Sequence, residues 1–144
     1  MTEAITYLWR EPIDNDEVNA LHAEAFDTRM FTAEEWDWQS LLARHSLGWV
    51  TARDAGRLVG FINVLWDGLV HAWLQDTMVS ARRRRKGIGR SLVAIARERA
   101  RTAGCEFLHV DFEDHLGQFY YQACGFAPTS AGLIRLEATP ESPV

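Results

Sequence analysis

Arg82-Arg83-Arg84-Arg85-Lys86-Gly87-Ile88-Gly89 is the stretch on which the fold turns. Before it, Val70 to Val79 reads as a strand. After it, Ile88 to Ala103 reads as a helix, with Leu92, Val93, Ile95, Ala96 and Ala100 at helical spacing and Gly104 as its C-cap. Glycines in such a loop let the backbone turn tightly and approach a ligand. The free N–H groups and the dipole at the helix start favour an anion. Arginine and lysine add charge and donors. A pyrophosphate needs this combination. A basic run also forms solvated faces and nucleic-acid patches, so two other readings stand beside it. The spacing is neither GxxxxGK[ST] nor GxGxxG, which excludes a Walker loop and a dinucleotide fingerprint.

Working outward, residues 82–101 hold nine basic side chains and one acid, Glu98, a local charge of +8. The whole chain of 144 residues has 15 Lys+Arg, 20 Asp+Glu and a net charge of -5, so the remainder is strongly acidic. Residues 1–40 alone hold ten acids against Arg10 and Arg29. A polyanion-binding protein seldom has so acidic a body; the pattern points to one local anion site. With 47% hydrophobic and 24% charged residues, the chain is globular and not disordered. Its length suits one domain, 1–144, with 139–144 (TPESPV) as a loose tail. Two cysteines, Cys105 and Cys124, make no disulfide framework. With no signal peptide at the start and no apolar run long enough to span a bilayer, the expected place is the cytoplasm, without membrane or nucleic acid as partner.

The remaining elements follow from periodicity and turn residues. Ala4 to Arg10 is a strand, and Pro12 to Phe26 leads into a helix. Thr32 and Glu35 form a capping box for a second helix running to about Arg44 and ended by Gly48. Trp49 to Arg53 and Arg57 to Trp66 are strands around a turn at Asp54-Ala55-Gly56. Phe107 to Phe112 is a strand and Leu116 to Cys124 a short helix closed by Gly125. Leu133 to Glu137 is a last strand, with another short one near Phe126. The order is βααβββαβαβ, an α/β (α+β) fold: an antiparallel meander, then a parallel βαβ unit, in one mixed sheet.

Arg84-x-x-Gly87-x-Gly89 resembles the Q/R-x-x-G-x-G/A signature of the GNAT superfamily of N-acetyltransferases. Phe119-Tyr120-Tyr121-Gln122-Ala123-Cys124-Gly125-Phe126 resembles that family's later LYxxxGF block, and the likeness extends over about residues 4–137. It implies a mixed central sheet flanked by helices, with parallel fourth and fifth strands that splay apart. It implies acetyl-CoA as co-substrate, its pyrophosphate on the N–H groups of Arg85, Lys86, Gly87, Ile88, Gly89 and Arg90, with Arg84 of the signature beside them. Main-chain groups of Thr77, Met78 and Val79 would pair with the pantetheine arm. Asn is common in the family near Glu113; its replacement here puts that contact in doubt.

Acetyl transfer to an amine needs a neutral amine, a polarised thioester and a proton for the leaving thiolate, and no metal. The five histidines lack ligand spacing such as HExxH. Tyr120 matches the tyrosine of the family block; a phenol suits donation to a thiolate. Tyr121 lies about 100° away on a helix and cannot face the same place. For the base, Asp111 and Glu113 at the end of a strand are the first candidates, with His109 and Asp76 as others. Cys124 reads as packing.

By the same resemblance the acceptor site involves the first two helices and their loop, where Phe31, Glu34 and Trp36 mix rings with carboxylates. Such a surface attracts cations. The expected acceptor is a small cationic amine: a polyamine, an amine-bearing antibiotic or an amino-acid derivative. Acetylation of protein amines, and a non-catalytic acyl-CoA sensor of the same fold, are the alternatives. A homodimer is also compatible with the family.

Overall fold

The computed structural model describes residues 4–84 and 86–137. Arg85 and the tail 139–144 therefore lie outside the described residues. Five strands form one sheet: β1 (Thr6–Trp9), β2 (Ser46–Asp54), β3 (Arg57–Trp66), β4 (His71–Val79) and β5 (Phe107–Val110). They lie in sequence order, antiparallel up to β4, with β5 parallel to β4. The β2–β3 hairpin closes on Ala55-Gly56, both at positive φ (51° and 85°), as a tight two-residue hairpin turn requires.

Three α-helices cover the two faces: α1 (Asn15–Phe26), α2 (Trp38–His45) and α3 (Ile88–Thr102). The Ile88, Leu92, Val93, Ala96 and Ala100 stripe of α3 is buried against Val50, Ala52, Ile62, Val64, Ala72 and Leu74. On the opposite face, α1 and α2 bury Val18, Leu21, Trp38 and Leu42 against Leu58, Phe61 and Met78. Trp38 is fully buried, and its indole N–H donates to Asn19 Oδ1 at 2.8 Å, which satisfies the polar end of the ring.

The splay follows from where pairing stops. β4 and β5 pair only over His71–Leu74 and Phe107–Val110. Beyond Leu74, the backbone groups of β4 on that side have no partner strand among the described residues. In the same place β4 slips against β3: Asn63 opposes Gln75 and Phe61 opposes Met78, so Asp76 and Thr77 together face Ile62. This is a β-bulge, with Asp76 at φ 58° in the left-handed region. The slip inverts the side-chain alternation. Before it, Ala72 and Leu74 face α3; after it, Met78 faces α1 and α2.

Four expectations need correction. The Thr32–Glu35 capping box forms, Glu35 N–H donating to Thr32 Oγ1 at 3.2 Å and Thr32 N–H to Glu35 Oε1 at 3.1 Å. The helix nevertheless begins only at Trp38, capped by Asp37, which accepts from Ser40 N–H at 3.1 Å. Trp36 and Trp38 both pack inward, and two positions apart they cannot share one helix face. Gly48 lies within β2, not at a helix end; a Cβ there would come within 2.1 Å of the Trp9 ring. The segment read as an α-helix over Leu116 to Cys124 is a 3₁₀ turn at Asp114–Leu116 and then a π-helix at Gln118–Ala123. Finally, no strand follows β5 among the described residues; Leu133 and Leu136 are 82% and 95% exposed. Their alternation is strand-like, but the backbone has no neighbour to complete a ladder.

Candidate active site

Between β4 and α3 the chain makes a 3₁₀ turn (Ala81–Arg83) and reaches Gly87, the N-cap of α3, at φ 78° with open space around the missing Cβ. No side chain caps α3. Its first intrahelical bond of this turn is Ser91 N–H to Gly87 O, so among the described residues the N–H groups of Ile88, Gly89 and Arg90 have no backbone partner. The helix is held close to the sheet. A Cβ on Gly60 of β3 would meet Ile88 Cγ2 at 2.8 Å, so only glycine admits Ile88 there. Gly89 packs under the Phe119 ring, which links this turn to the π-helix.

The basic run divides into two groups. Arg84 donates to the carbonyl of Ala25 at 2.6 Å and so ties the loop to the end of α1. Arg83 pairs with Asp54. Glu24 of α1 accepts from Ser80 Oγ and, at 2.6 Å, from Ala81 N–H; the Ser80 bond first, against burial, holds its carboxyl below the usual range. Arg84 is therefore an anchor of the loop. Lys86 and Arg90 are exposed beside these N–H groups, and neither makes an ion pair among the described residues. Uncapped N–H groups, a glycine cradle and two free cations fit a pyrophosphate.

At the splay, the bulge sends neighbouring residues to opposite faces. Asp76 turns toward Asn63, on the side of α1 and α2. Burial pushes its carboxyl up to about 6, and the Asn63 amide offsets part of that rise. The Asn63 contact is loose: Nδ2 has no hydrogen bond of good geometry, while Oδ1 accepts from Ser46 Oγ at 2.5 Å. Thr77 turns the other way and meets Tyr120 of the π-helix. Tyr120 is buried, stacked on Phe112 with ring centroids 4.6 Å apart. Burial raises its phenol above the ordinary value, against the Thr77 contact, so it holds its proton at neutral pH. Tyr121 points outward.

The other sequence candidates fall elsewhere. Asp111 and Glu113 lie beyond the end of β5, both exposed, and Glu113 faces His115 at 3.4 Å. Cys124 is partly buried, and burial raises its thiol despite Arg90, as suits packing. Of the acceptor candidates, Phe31 is buried against His22, Trp36 is half-buried in the α1–α2 core and Glu34 is exposed. Their acidic neighbours are engaged: Glu35 with Arg29 at 2.6 Å, and Asp37 with Asn15 at 2.9 Å as well as Ser40. Among the described residues, no three His, Cys, Asp or Glu side chains gather as metal ligands. No described helix is long and apolar enough to cross a membrane.

Comparisons with known proteins agree with this geometry. A search of curated proteins finds no match. Among solved structures, a GNAT family acetyltransferase of Streptococcus pneumoniae superposes with a TM-score of 0.72 at 26% identity, covering 93% of this chain and 100% of that one. The ribosomal-protein-alanine N-acetyltransferase of Brucella melitensis gives 0.73 at 21%, over 93% and 100%. AAC(6')-Iy, in complex with the bisubstrate analog CoA-S-monomethyl-acetylneamine, gives 0.74 at 18%, over 95% and 100%. The family model described as "Acetyltransferase (GNAT) family" matches residues 6–126, from β1 through the uncapped helix and the splay to the end of the tyrosine helix. The chain belongs to the GNAT family of acetyltransferases.

Proposed function

We propose that this chain transfers acetyl from acetyl-CoA to a primary amine, with Asp76 as general base and Tyr120 as general acid. The observation that carries the reading is the bulge. It puts a shielded carboxyl on one face of the sheet and turns Thr77 to the other, against the shielded phenol of Tyr120, at the point where β4 leaves β5. A carboxyl that titrates near 6 can accept a proton from an ammonium group close to neutral pH. A phenol that keeps its proton can return one to the departing sulfur. Acetyl-CoA, when bound, supplies an activated acyl carbon and a thiolate leaving group. Lys86, Arg90 and the N–H groups of Ile88–Arg90 would hold its phosphates. The unpaired edge of β4 at Thr77–Val79 would hold its arm.

Asp76 is favoured over Asp111 and Glu113 because only its carboxyl is buried. The acids of residues 1–40 favour a cationic acceptor less than their number does, since Glu24, Glu35 and Asp37 are engaged within the protein. The test is a thermal shift with CoA, followed by a screen of amines with acetyl-CoA that reads released thiol. Stabilisation by CoA and thiol release with at least one primary amine are expected. No stabilisation by CoA would overturn the donor site; stabilisation without turnover would make the chain a CoA-binding module.

A further inference from the structure

One surface is left unused by the donor site. On the face of the sheet opposite α3, β4 and β5 carry two cross-strand ring pairs: His71 opposite Phe107 and Trp73 opposite His109. All four rings touch. His71 stacks on Phe107 with centroids 5.1 Å apart and planes 18° apart. Trp73 stacks on His109 at 5.0 Å and 18°. His71 and His109 share a hydrogen bond, Nδ1 to Nε2, at 2.8 Å. The rings form a floor two strands wide and two rows long, with a frame of roughly 5 by 7 Å between backbone positions. That is the size of one or two six-membered rings. α1 and α2 pack over β2, β3 and the Met78 end of β4, and leave this floor uncovered. Phe107 is 57% exposed and Trp73 36%.

The floor leads to the proposed base. From the Trp73 row, Gln75 follows on the same exposed face and then Asp76 at the bulge, about 10 Å of strand. Each imidazole has one ring nitrogen left after the shared bond, so the floor offers ring faces with polar atoms at its edge. Stacked aromatic faces bind flat rings, aromatic or the C–H face of a sugar.

We propose that this floor seats the acceptor: a primary amine carried one or two carbons from a six-membered ring, the ring lying on Trp73 and His109 and the amine directed to Asp76. The inference rests on the acetyltransferase reading and names its substrate class. An aromatic ring and a sugar ring share the stacking chemistry, and 2-phenylethylamine and 6-amino-6-deoxyglucose separate them. Cadaverine, a linear amine with no ring, is the reference.

The experiment is steady-state kinetics of the whole protein and of Trp73→Ala, Trp73→Phe and His109→Ala, with acetyl-CoA and each amine. A ring-bearing amine should have a kcat/KM at least tenfold above cadaverine. Trp73→Ala should raise its KM at least tenfold, with cadaverine changed less than twofold and Trp73→Phe largely restored. The CoA-induced thermal shift should be unchanged in all three variants, which checks folding and the donor site. Equal use of linear and ring-bearing amines by the wild type would overturn the proposal, as would an unchanged KM in Trp73→Ala. If CoA binds and no amine turns over, acetyl transfer fails, and the floor is then judged by equilibrium binding of 2-phenylethylamine and 6-amino-6-deoxyglucose to the CoA complex. Binding lost in Trp73→Ala upholds the seat; no binding, or binding that ignores the substitution, rejects it. A monomer–dimer change in Trp73→Ala by light scattering would show a second copy on the floor and reject it too.

Discussion

Asp76→Asn separates stability from activity. The Asp76 carboxyl is raised by burial from 3.8 to about 6. That rise of about 2 pH units corresponds to roughly 3 kcal/mol. A raised acid binds its proton more tightly in the folded protein, so stability falls as pH climbs through this window. The cost is absent below 3.8 and complete above about 6. An amide has nearly the same shape, bears no charge and tolerates the left-handed backbone at φ 58°. At pH 7.5 the variant should therefore gain up to about 3 kcal/mol, less what the new N–H₂ leaves unpaired, and melt at the upper limit roughly 6–12 °C higher. At pH 4 the two proteins should melt nearly together. Turnover should move oppositely, falling by roughly 10²–10⁴ at pH 7.5. In the wild type, kcat/KM should lose activity below an apparent pKa near 6. The assays are calorimetry at both pH values and thiol release across the pH range. A melting difference that does not depend on pH would show that the carboxyl is not strained by burial. A variant that keeps its turnover would remove Asp76 from the chemistry.

Tyr120→Phe should lower kcat by roughly 10²-fold or more, while stability moves by only about 1 kcal/mol for the lost Thr77 contact; unchanged kcat would refute the acid role. Gly60→Ala should cost about 1–3 kcal/mol in urea unfolding, because the new methyl collides with Ile88, and should also weaken the CoA-induced thermal shift. A silent substitution would mean that α3 does not depend on that close approach. His22 is buried with Nδ1 unpaired, and burial lowers its pKa, so it folds neutral. Its sign is opposite to that of Asp76: wild-type stability should decline as pH falls below 6.5, where the unfolded chain takes up the proton. His22→Leu should flatten that decline in melting curves between pH 5 and 7, and an equally steep decline would place its origin elsewhere.

What was legible beforehand follows the range of the forces. The α3 stripe and Gly87 obey local rules, and both could be read directly. The Thr32–Glu35 box also obeys a local rule and forms, yet the helix waits for Trp38 because burial of two tryptophans outweighs one capping turn. Leu133–Glu137 alternates like a strand, but a strand exists only with a neighbour, which no single segment can report. The bulge was hidden for a specific reason. Ala72, Leu74 and Met78 keep a period of two across it, so the apolar pattern runs on as though no residue were inserted. The visible trace was Gln75-Asp76-Thr77, three polar residues in a row inside an otherwise apolar strand. Charge counting is blind in a related way. Glu11 and Glu17 both grip Arg53, Glu24 holds the loop, and Glu35 and Asp37 hold the α2 entry, so half of the ten acids of residues 1–40 are engaged within the protein. Counting charges cannot distinguish a carboxylate paired with arginine from one held alone and desolvated. Among the described residues, the single acid with a strongly raised pKa, Asp76, lies outside that acidic stretch. It sits where both the strand register and the strand pairing break, and that coincidence, more than total charge, is the ground for proposing it as the base.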